Sequence, residues 1–228
     1  YRGTWESGGQ FLDHSPHEDI LDVISGLSRP FTSIWDGEEY KIDNPEIYVV
    51  GVSFGGPAAI LCSSDRRVKK AVSIAGVVDW KEEQKSETEP LDWLGSIVRD
   101  AFGQGYRFHK EDWDALWRVE LYNPVNHEET IDPSKILLIH AIDDDVVSHA
   151  PVAAFAKRVG ARLVSLKRGG HLALLRKEEP VERLDHFSNH NYERIRNNKF
   201  YQSVWQQYCC RQYIFYYSKR RIFWLSWP

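Results

Sequence analysis

Short apolar runs alternate with amphipathic segments along most of the chain, and this alternation predicts strands and helices in turn. Four of these runs are short, which favours buried parallel strands. They cover 46–51, 68–74, 135–140 and 161–166. Helical patterns lie between them, so the chain predicts an α/β fold with a mostly parallel sheet and helices on both faces.

The predicted helices begin and end at local signals. Ser-Pro-His-Glu at 15–18 has the spacing of a capping box with proline at the first helical position, and it predicts a helix to about Leu27. A polar loop is expected over 28–45. A further helix is expected after the strand at 46–51, and another over 150–159, because Gly160 supplies a C-terminal stop.

The strongest chemical signal is Gly51-Val52-Ser53-Phe54-Gly55, which follows directly on a predicted strand. A strand that feeds a Gly-x-Ser-x-Gly turn forms a nucleophile elbow, in which the serine hydroxyl is exposed and the flanking positions have no room for side chains. Gly51, Gly55 and Gly56 are therefore the expected elbow glycines. The motif also occurs by chance in glycine-rich turns, so its interpretation depends on partners elsewhere.

Partners for Ser53 follow in the order aspartate, then histidine. Asp143, Asp144 and Asp145 come after the third predicted strand, and His171 comes after the fourth. Loops at the carboxyl ends of parallel strands open at one edge, so these residues can converge. Serine is a weak nucleophile at neutral pH, and it needs an imidazole to accept its proton and a carboxylate to orient that imidazole. His140 precedes the acid and is interpreted as a buried supporting residue.

These motifs resemble those of α/β-hydrolases, and the chain is most similar to the prolyl oligopeptidase-like and dienelactone hydrolase-like branches. The resemblance rests on Gly-x-Ser-x-Gly-Gly at 51–56, Asp-Asp-x-Val at 144–147, Gly-Gly-His-Leu at 169–172 and the turn-like segment 1–9. In such enzymes the acid lies three residues after a glycine. In this chain Ala141 occupies the position of that glycine.

The resemblance therefore implies Asp144 as the acid, with Ser53 as nucleophile and His171 as base. It implies the backbone amide of Phe54 as one oxyanion donor. Asp143 and Asp145 are then expected to be loop residues that cap backbone amides or face solvent.

By the same resemblance, segment 1–9 would lie at the end of the fourth strand of the family fold. The first three strands and the loop with the second oxyanion donor are then expected upstream, and the chain contains no methionine. One side of the strand at 46–50 would lack its neighbour. Because an unpaired apolar edge recruits other chains, we expect the isolated chain to aggregate or to dimerise through that edge.

Residues 79–130 interrupt the alternation of strands and helices. An insertion at this place commonly forms a lid over the serine in α/β-hydrolases, and helical patterns at 91–102 and 110–119 suit a small helical lid. Packing within the lid is favoured over substrate contact for its tryptophans. These candidate lid or pocket residues are Trp80, Trp93, Trp113 and Trp117.

Residues 185–228 differ from the expected catalytic core at 1–184. They contain no glycine or alanine, seven basic and two acidic residues, and 13 of the 30 aromatic residues of the chain. The segment is a basic aromatic surface for nucleic acid or a membrane, an additional helical element, or a tail foreign to the fold. The third interpretation is favoured, since the segment has no clear period or caps.

Composition excludes several classes of protein. The net charge of −4 is too small to indicate a nucleic-acid partner, and no apolar run has the length of a membrane span. Three cysteines do not form a disulfide framework, which favours a reducing, cytoplasmic location. Two histidine pairs have spacings that could place both rings on one helical face: His14 with His17, and His186 with His190. Neither pair has the glutamate of a metalloprotease pattern, so neither a metal nor a cofactor is expected.

The sequence thus predicts a serine hydrolase that cleaves a small-molecule ester or a peptide through an acyl-enzyme. The paired glycines at 55–56 and the Asp-Asp-x-Val loop favour a prolyl oligopeptidase-like peptidase. A small-molecule carboxylesterase and a non-catalytic binding protein with the hydrolase fold are the alternatives.

Overall fold

The computed structural model describes residues 1–33, 35–83, 91–118, 121–171, 213–218 and 221–226. For residues 83, 91–94, 96–97 and the last two ranges, it describes the backbone alone. The helices are Pro16–Gly26 (α1), Gly55–Cys62 (α2), Trp80–Glu83 (α3), Leu91–Phe102 (α4), Lys110–Trp117 (α5) and His149–Val159 (α6). The strands are Phe31–Thr32 (β1), Glu39–Tyr40 (β2), Glu46–Val52 (β3), Val68–Ile74 (β4), Ile136–Ala141 (β5), Arg162–Leu166 (β6), Tyr213–Ser218 (β7) and Arg221–Ser226 (β8).

Within the described residues, the main sheet has six strands in the order β6-β5-β4-β3-β7-β8. Strands β3 to β6 pair in parallel, and helices α2 and α6 lie in the first and last connections between them. All six residues of β5 are buried, which is the burial expected of a central strand in a parallel sheet. The four predicted strands are therefore present in one sheet, and their carboxyl ends share one edge.

Two local predictions differ from the structure. Ser15 is the N-cap of α1, but its side chain makes no capping bond, because its hydroxyl lies 2.7 Å from Nδ1 of His17. The expected loop at 28–45 contains a short antiparallel hairpin of β1 and β2, closed by the stacked rings of Phe31 and Tyr40. Short two-residue strands carry too little periodicity to be recognised in a polar segment.

The expectation of an open edge on β3 was wrong. Strand β7 pairs antiparallel with β3 along Glu46 to Val50, and β8 pairs with β7 on the far side. The backbone amides and carbonyls of β3 therefore have neighbours on both sides, so the structural reason for aggregation through β3 is removed. The proposed boundary between a core at 1–184 and a distinct tail stays a prediction.

Helix α2 lies so close to the sheet that glycine is required where it meets the end of β4. A Cβ atom built on Gly76 would lie 2.7 Å from Cα of Gly56 and 2.2 Å from Oγ of Ser73. A Cβ on Gly56 would lie 2.4 Å from Cα of Gly76. This backbone-to-backbone approach fixes the start of α2, and with it the turn that carries Ser53.

We expect Gly76→Ala to destabilise the protein by about 1–3 kcal/mol, because the added methyl group forces α2 away from β4. Gly8→Ala is the matched control, since a Cβ on Gly8 meets nothing within 4 Å. Denaturant unfolding followed by circular dichroism measures both variants. Equal stability of the two variants would contradict the close approach.

Candidate active site

Ser53 lies at the carboxyl end of β3 in a strained backbone conformation. Its φ of +51° is in the left-handed region, which non-glycine residues adopt rarely, and its amide donates to the carbonyl oxygen of Ile74 at 2.8 Å. A Cβ on Gly51 would lie only 1.9 Å from the carbonyl oxygen of Gly55. The turn is therefore as sharp as a nucleophile elbow requires, and position 51 accepts only glycine.

The structure brings together Ser53, His171 and Asp144. Oγ of Ser53 lies 2.8 Å from Nε2 of His171, and Nδ1 of the same ring lies 3.0 and 3.1 Å from the two carboxylate oxygens of Asp144. The ring thus faces a hydroxyl with one nitrogen and a carboxylate with the other. This arrangement suits an imidazole with its proton on Nδ1, where it donates to Asp144, and with Nε2 free to accept from Ser53.

The carboxylate of Asp144 is fully buried and is surrounded by donors. The amides of Val146 and Val147 donate to Oδ1 at 3.0 and 2.9 Å. Nε2 of the buried His140 lies 3.1 Å from Oδ2 and also 2.9 Å from the carbonyl oxygen of Val147. Burial alone would raise the pKa of Asp144, but the hydrogen bonds from His140, His171 and the two amides outweigh it and hold that pKa well below its ordinary value. The carboxylate is therefore ionised at neutral pH.

Asp143 and Asp145 have different surroundings from Asp144. The exposed carboxylate of Asp143 accepts hydrogen bonds from the amides of Gly169 and Gly170, at 3.2 and 2.9 Å, and these bonds lower the pKa of Asp143. Asp145 is exposed to solvent. Asp143 thus ties the loop that carries His171 to the loop that carries Asp144, as a capping residue would.

Phe54, which follows the serine, is the residue whose amide is the expected oxyanion donor. Its ring is half-buried and packs against four other aromatic rings at centroid distances of 5.1 to 6.2 Å. Those rings belong to Tyr122, Phe11, Trp80 and Tyr1. The residue is therefore held by its side chain, while its amide begins the turn that leads into α2.

The tryptophans of the insertion pack mainly against one another. Trp80, Trp113 and Trp117 are all buried, with ring centroids 5.2 Å apart for Trp80 and Trp117 and 6.0 Å apart for Trp113 and Trp117. Trp80 also contacts Phe54, at 5.7 Å. The side chain of Trp93 lies outside the described residues. Packing within the insertion therefore accounts for these three rings, and Trp80 links them to the elbow.

Within the part of the chain that the structure describes, no group of three or more histidine, cysteine, aspartate or glutamate side chains could hold a metal ion. Nε2 of His14 bonds Asp19 at 2.8 Å, whereas Nδ1 of His17 bonds Ser15. His186 and His190 lie outside the described residues. Across the described helices, none has both the length and the apolar character needed to cross a membrane.

Sequence reasoning missed two features of this site. Tyr122 contacts the backbone of the elbow through its hydroxyl, although its position in the chain, beside Asn123-Pro124, indicates only the end of the insertion. The sequence predicts His140 as a buried supporting residue, but nothing in its sequence context identifies Asp144 as the group it contacts.

Comparison with solved structures shows the fold. An esterase from Pyrococcus furiosus matches with 18% identity and a TM-score of 0.52, over 90% of this chain and 68% of its own. An acylaminoacyl peptidase from Pyrococcus horikoshii matches with 18% identity and a TM-score of 0.46, over 68% of this chain. The match covers 23% of that peptidase, so the chain spans about a quarter of its length. An acetyl xylan esterase from Thermoanaerobacterium matches with 15% identity and a TM-score of 0.49, over 75% of this chain and 50% of its own.

Comparison with curated protein sequences gives no match. A family model, described as the prolyl oligopeptidase family, matches residues 32–209. The match covers more than half of the chain and includes Ser53, Asp144 and His171. The α/β-hydrolase fold expected from the sequence is thereby confirmed, and the chain belongs to the prolyl oligopeptidase family of α/β-hydrolase-type serine hydrolases.

Proposed function

We propose that this protein cleaves a peptide or ester bond by acyl transfer, with Ser53 as nucleophile, His171 as general base and acid, and Asp144 as the group that orients His171. The observation that supports this proposal is the continuous contact from Oγ of Ser53 through the ring of His171 to the buried carboxylate of Asp144. A serine, an imidazole and a carboxylate in this order form the machinery of serine hydrolases.

In the proposed reaction, Oγ of Ser53 attacks the carbonyl carbon of the substrate while Nε2 of His171 takes the hydroxyl proton. The carbonyl oxygen becomes an oxyanion, to which the amide of Phe54 donates. The imidazolium then protonates the leaving amine or alcohol as the bond to it breaks. Water, deprotonated by His171, releases the acid from Ser53 and restores the enzyme.

The preferred substrate class is a peptide, and a carboxylic ester is the second candidate. Membership in the prolyl oligopeptidase family supports the peptide. The proposed oxyanion donor within the described part of the chain is the amide of Phe54. Such a donor typically contributes about 100- to 1,000-fold in rate.

A fluorophosphonate probe should modify Ser53 alone, because its phosphorus reacts with a serine that an adjacent imidazole activates. Ser53→Ala should abolish labelling, as judged by mass spectrometry of the tryptic peptides. Ser28→Ala is the control, since Ser28 is an exposed serine outside the site. Labelling that survives Ser53→Ala would exclude the proposed nucleophile, and absence of labelling in the wild type would favour a non-catalytic binding protein.

We expect Asp144→Asn to reduce kcat by about 10⁴-fold, because the amide no longer fixes the tautomer of His171. Asp145→Asn is the matched control, since the neighbouring carboxylate is exposed. Steady-state kinetics on a p-nitrophenyl ester measures both variants. A severe loss of turnover in Asp145→Asn, with near-normal turnover in Asp144→Asn, would show that Asp144 is not the acid.

Substrate class is tested with matched esters and amides of one acyl group. A peptidase should hydrolyse a prolyl or aminoacyl p-nitroanilide with a kcat/KM within about tenfold of the ester, because it must protonate a poor leaving group efficiently. Turnover of the ester alone would identify a carboxylesterase. Ser53→Ala serves as the blank for both substrates.

A further inference from the structure

Tyr122 joins the end of the insertion to the first turn of α2. Its hydroxyl donates to the carbonyl oxygen of Phe54 at 2.6 Å and accepts from the amide of Ala58 at 3.0 Å. Phe54 and Ala58 are four residues apart, so the hydroxyl bridges the two backbone groups that define this turn. Tyr122 is almost fully buried, at 1% exposure, which makes these bonds costly to lose.

The position of Tyr122 is itself tightly held. Its φ of +60° is in the left-handed region, a strained conformation for a bulky residue that persists only where surrounding contacts impose it. Nε1 of Trp80 donates to the carbonyl oxygen of Tyr122 at 2.7 Å, and the amide of Trp80 donates to Oδ1 of Asn123 at 3.1 Å. The ring of Tyr122 lies 5.1 Å from that of Phe54. Tyr122 therefore holds Phe54 from two directions, through the backbone carbonyl and through the ring.

We infer that Tyr122 is a positioning residue that fixes Phe54 so that its amide can stabilise the oxyanion. The inference rests on the proposed function, in which that amide is an oxyanion donor. A donor lowers the barrier only when it is already placed where negative charge develops, because moving it during the reaction costs free energy. Loss of the hydroxyl should consequently weaken binding of the transition state more than binding of the substrate.

The test compares Tyr122→Phe with Tyr40→Phe in the full protein. Both variants remove one tyrosine hydroxyl, but that of Tyr40 donates to Asp36 on the exposed hairpin. We expect Tyr122→Phe to lower kcat for a p-nitrophenyl ester by about 10- to 100-fold, a smaller decrease than removal of a whole oxyanion donor causes. KM should stay within about twofold of the wild-type value. Tyr40→Phe should leave both parameters unchanged. An unchanged kcat in Tyr122→Phe would overturn the inference.

A transition-state analogue separates positioning from a general loss of packing. A trifluoromethyl ketone forms a bond from its carbonyl carbon to Oγ of Ser53, with the serine proton passing to His171, and so creates an oxyanion. The affinity of this ketone for Tyr122→Phe should fall by the same factor as kcat/KM. The corresponding alcohol cannot add to serine, so its affinity for Tyr122→Phe should stay within about twofold of its affinity for the wild type. Equal weakening of both ligands would indicate a structural role and would overturn the inference.

Failure of this inference can be told apart from failure of the proposed function. Rates are expressed per site that reacts stoichiometrically with fluorophosphonate, so unfolded molecules do not enter the comparison. Full activity in Ser53→Ala would overturn the proposed function and this inference together. Labelling of Ser53 in the wild type, with normal kcat and inhibitor affinity in Tyr122→Phe, would overturn the role of Tyr122 alone.

Discussion

The site depends on a single backbone constraint, the left-handed conformation of Ser53 at the junction of β3 and α2. The strain is tolerated because the turn is held by neighbours that cannot easily move: the carbonyl of Ile74 accepts from the serine amide, and the glycine-to-glycine contact of Gly56 and Gly76 fixes the start of α2. A side chain at either glycine would displace the helix. The hydroxyl of Ser53 is thus presented by a rigid turn instead of a flexible loop.

The parallel sheet explains how Ser53, Asp144 and His171 come together. Strands β3, β5 and β6 end at the same edge, so the loops that carry Ser53, Asp144 and His171 meet there although they are far apart in the chain. Burial of a carboxylate is unfavourable unless donors surround it, and the two amides and two imidazoles around Asp144 meet that requirement. The same donors lower the pKa of Asp144 and leave its carboxylate ionised beside the ring of His171.

The insertion between β4 and β5 is physically joined to the elbow. Trp80 packs on Phe54, and the hydroxyl of Tyr122 forms hydrogen bonds with the backbone of Phe54 and Ala58. Residues near both ends of the insertion therefore contact the turn after the serine. A change in the packing of Trp80, Trp113 and Trp117 would therefore alter the contact between Trp80 and Phe54 in the elbow. The insertion thus contacts the turn that carries Ser53 from both Trp80 and Tyr122, and its role as a lid stays a prediction.

The residues by themselves predicted the elbow at Ser53, the four parallel strands, His171 and three candidate aspartates, of which the resemblance to α/β-hydrolases implied Asp144. The elbow is encoded by neighbouring residues: an apolar run, a glycine that excludes a Cβ, and a serine directly after the strand. Tertiary structure alone decided the pairing of β7 with β3, the contact of His140 with Asp144, and the bridge from Tyr122 to Phe54. Tyr122 and Phe54 are 68 residues apart, and no local period or motif encodes which distant hydroxyl reaches a given carbonyl. The hydrogen bond between the hydroxyl of Tyr122 and the carbonyl of Phe54 forms only when the insertion packs against the elbow, because that packing buries both groups next to each other.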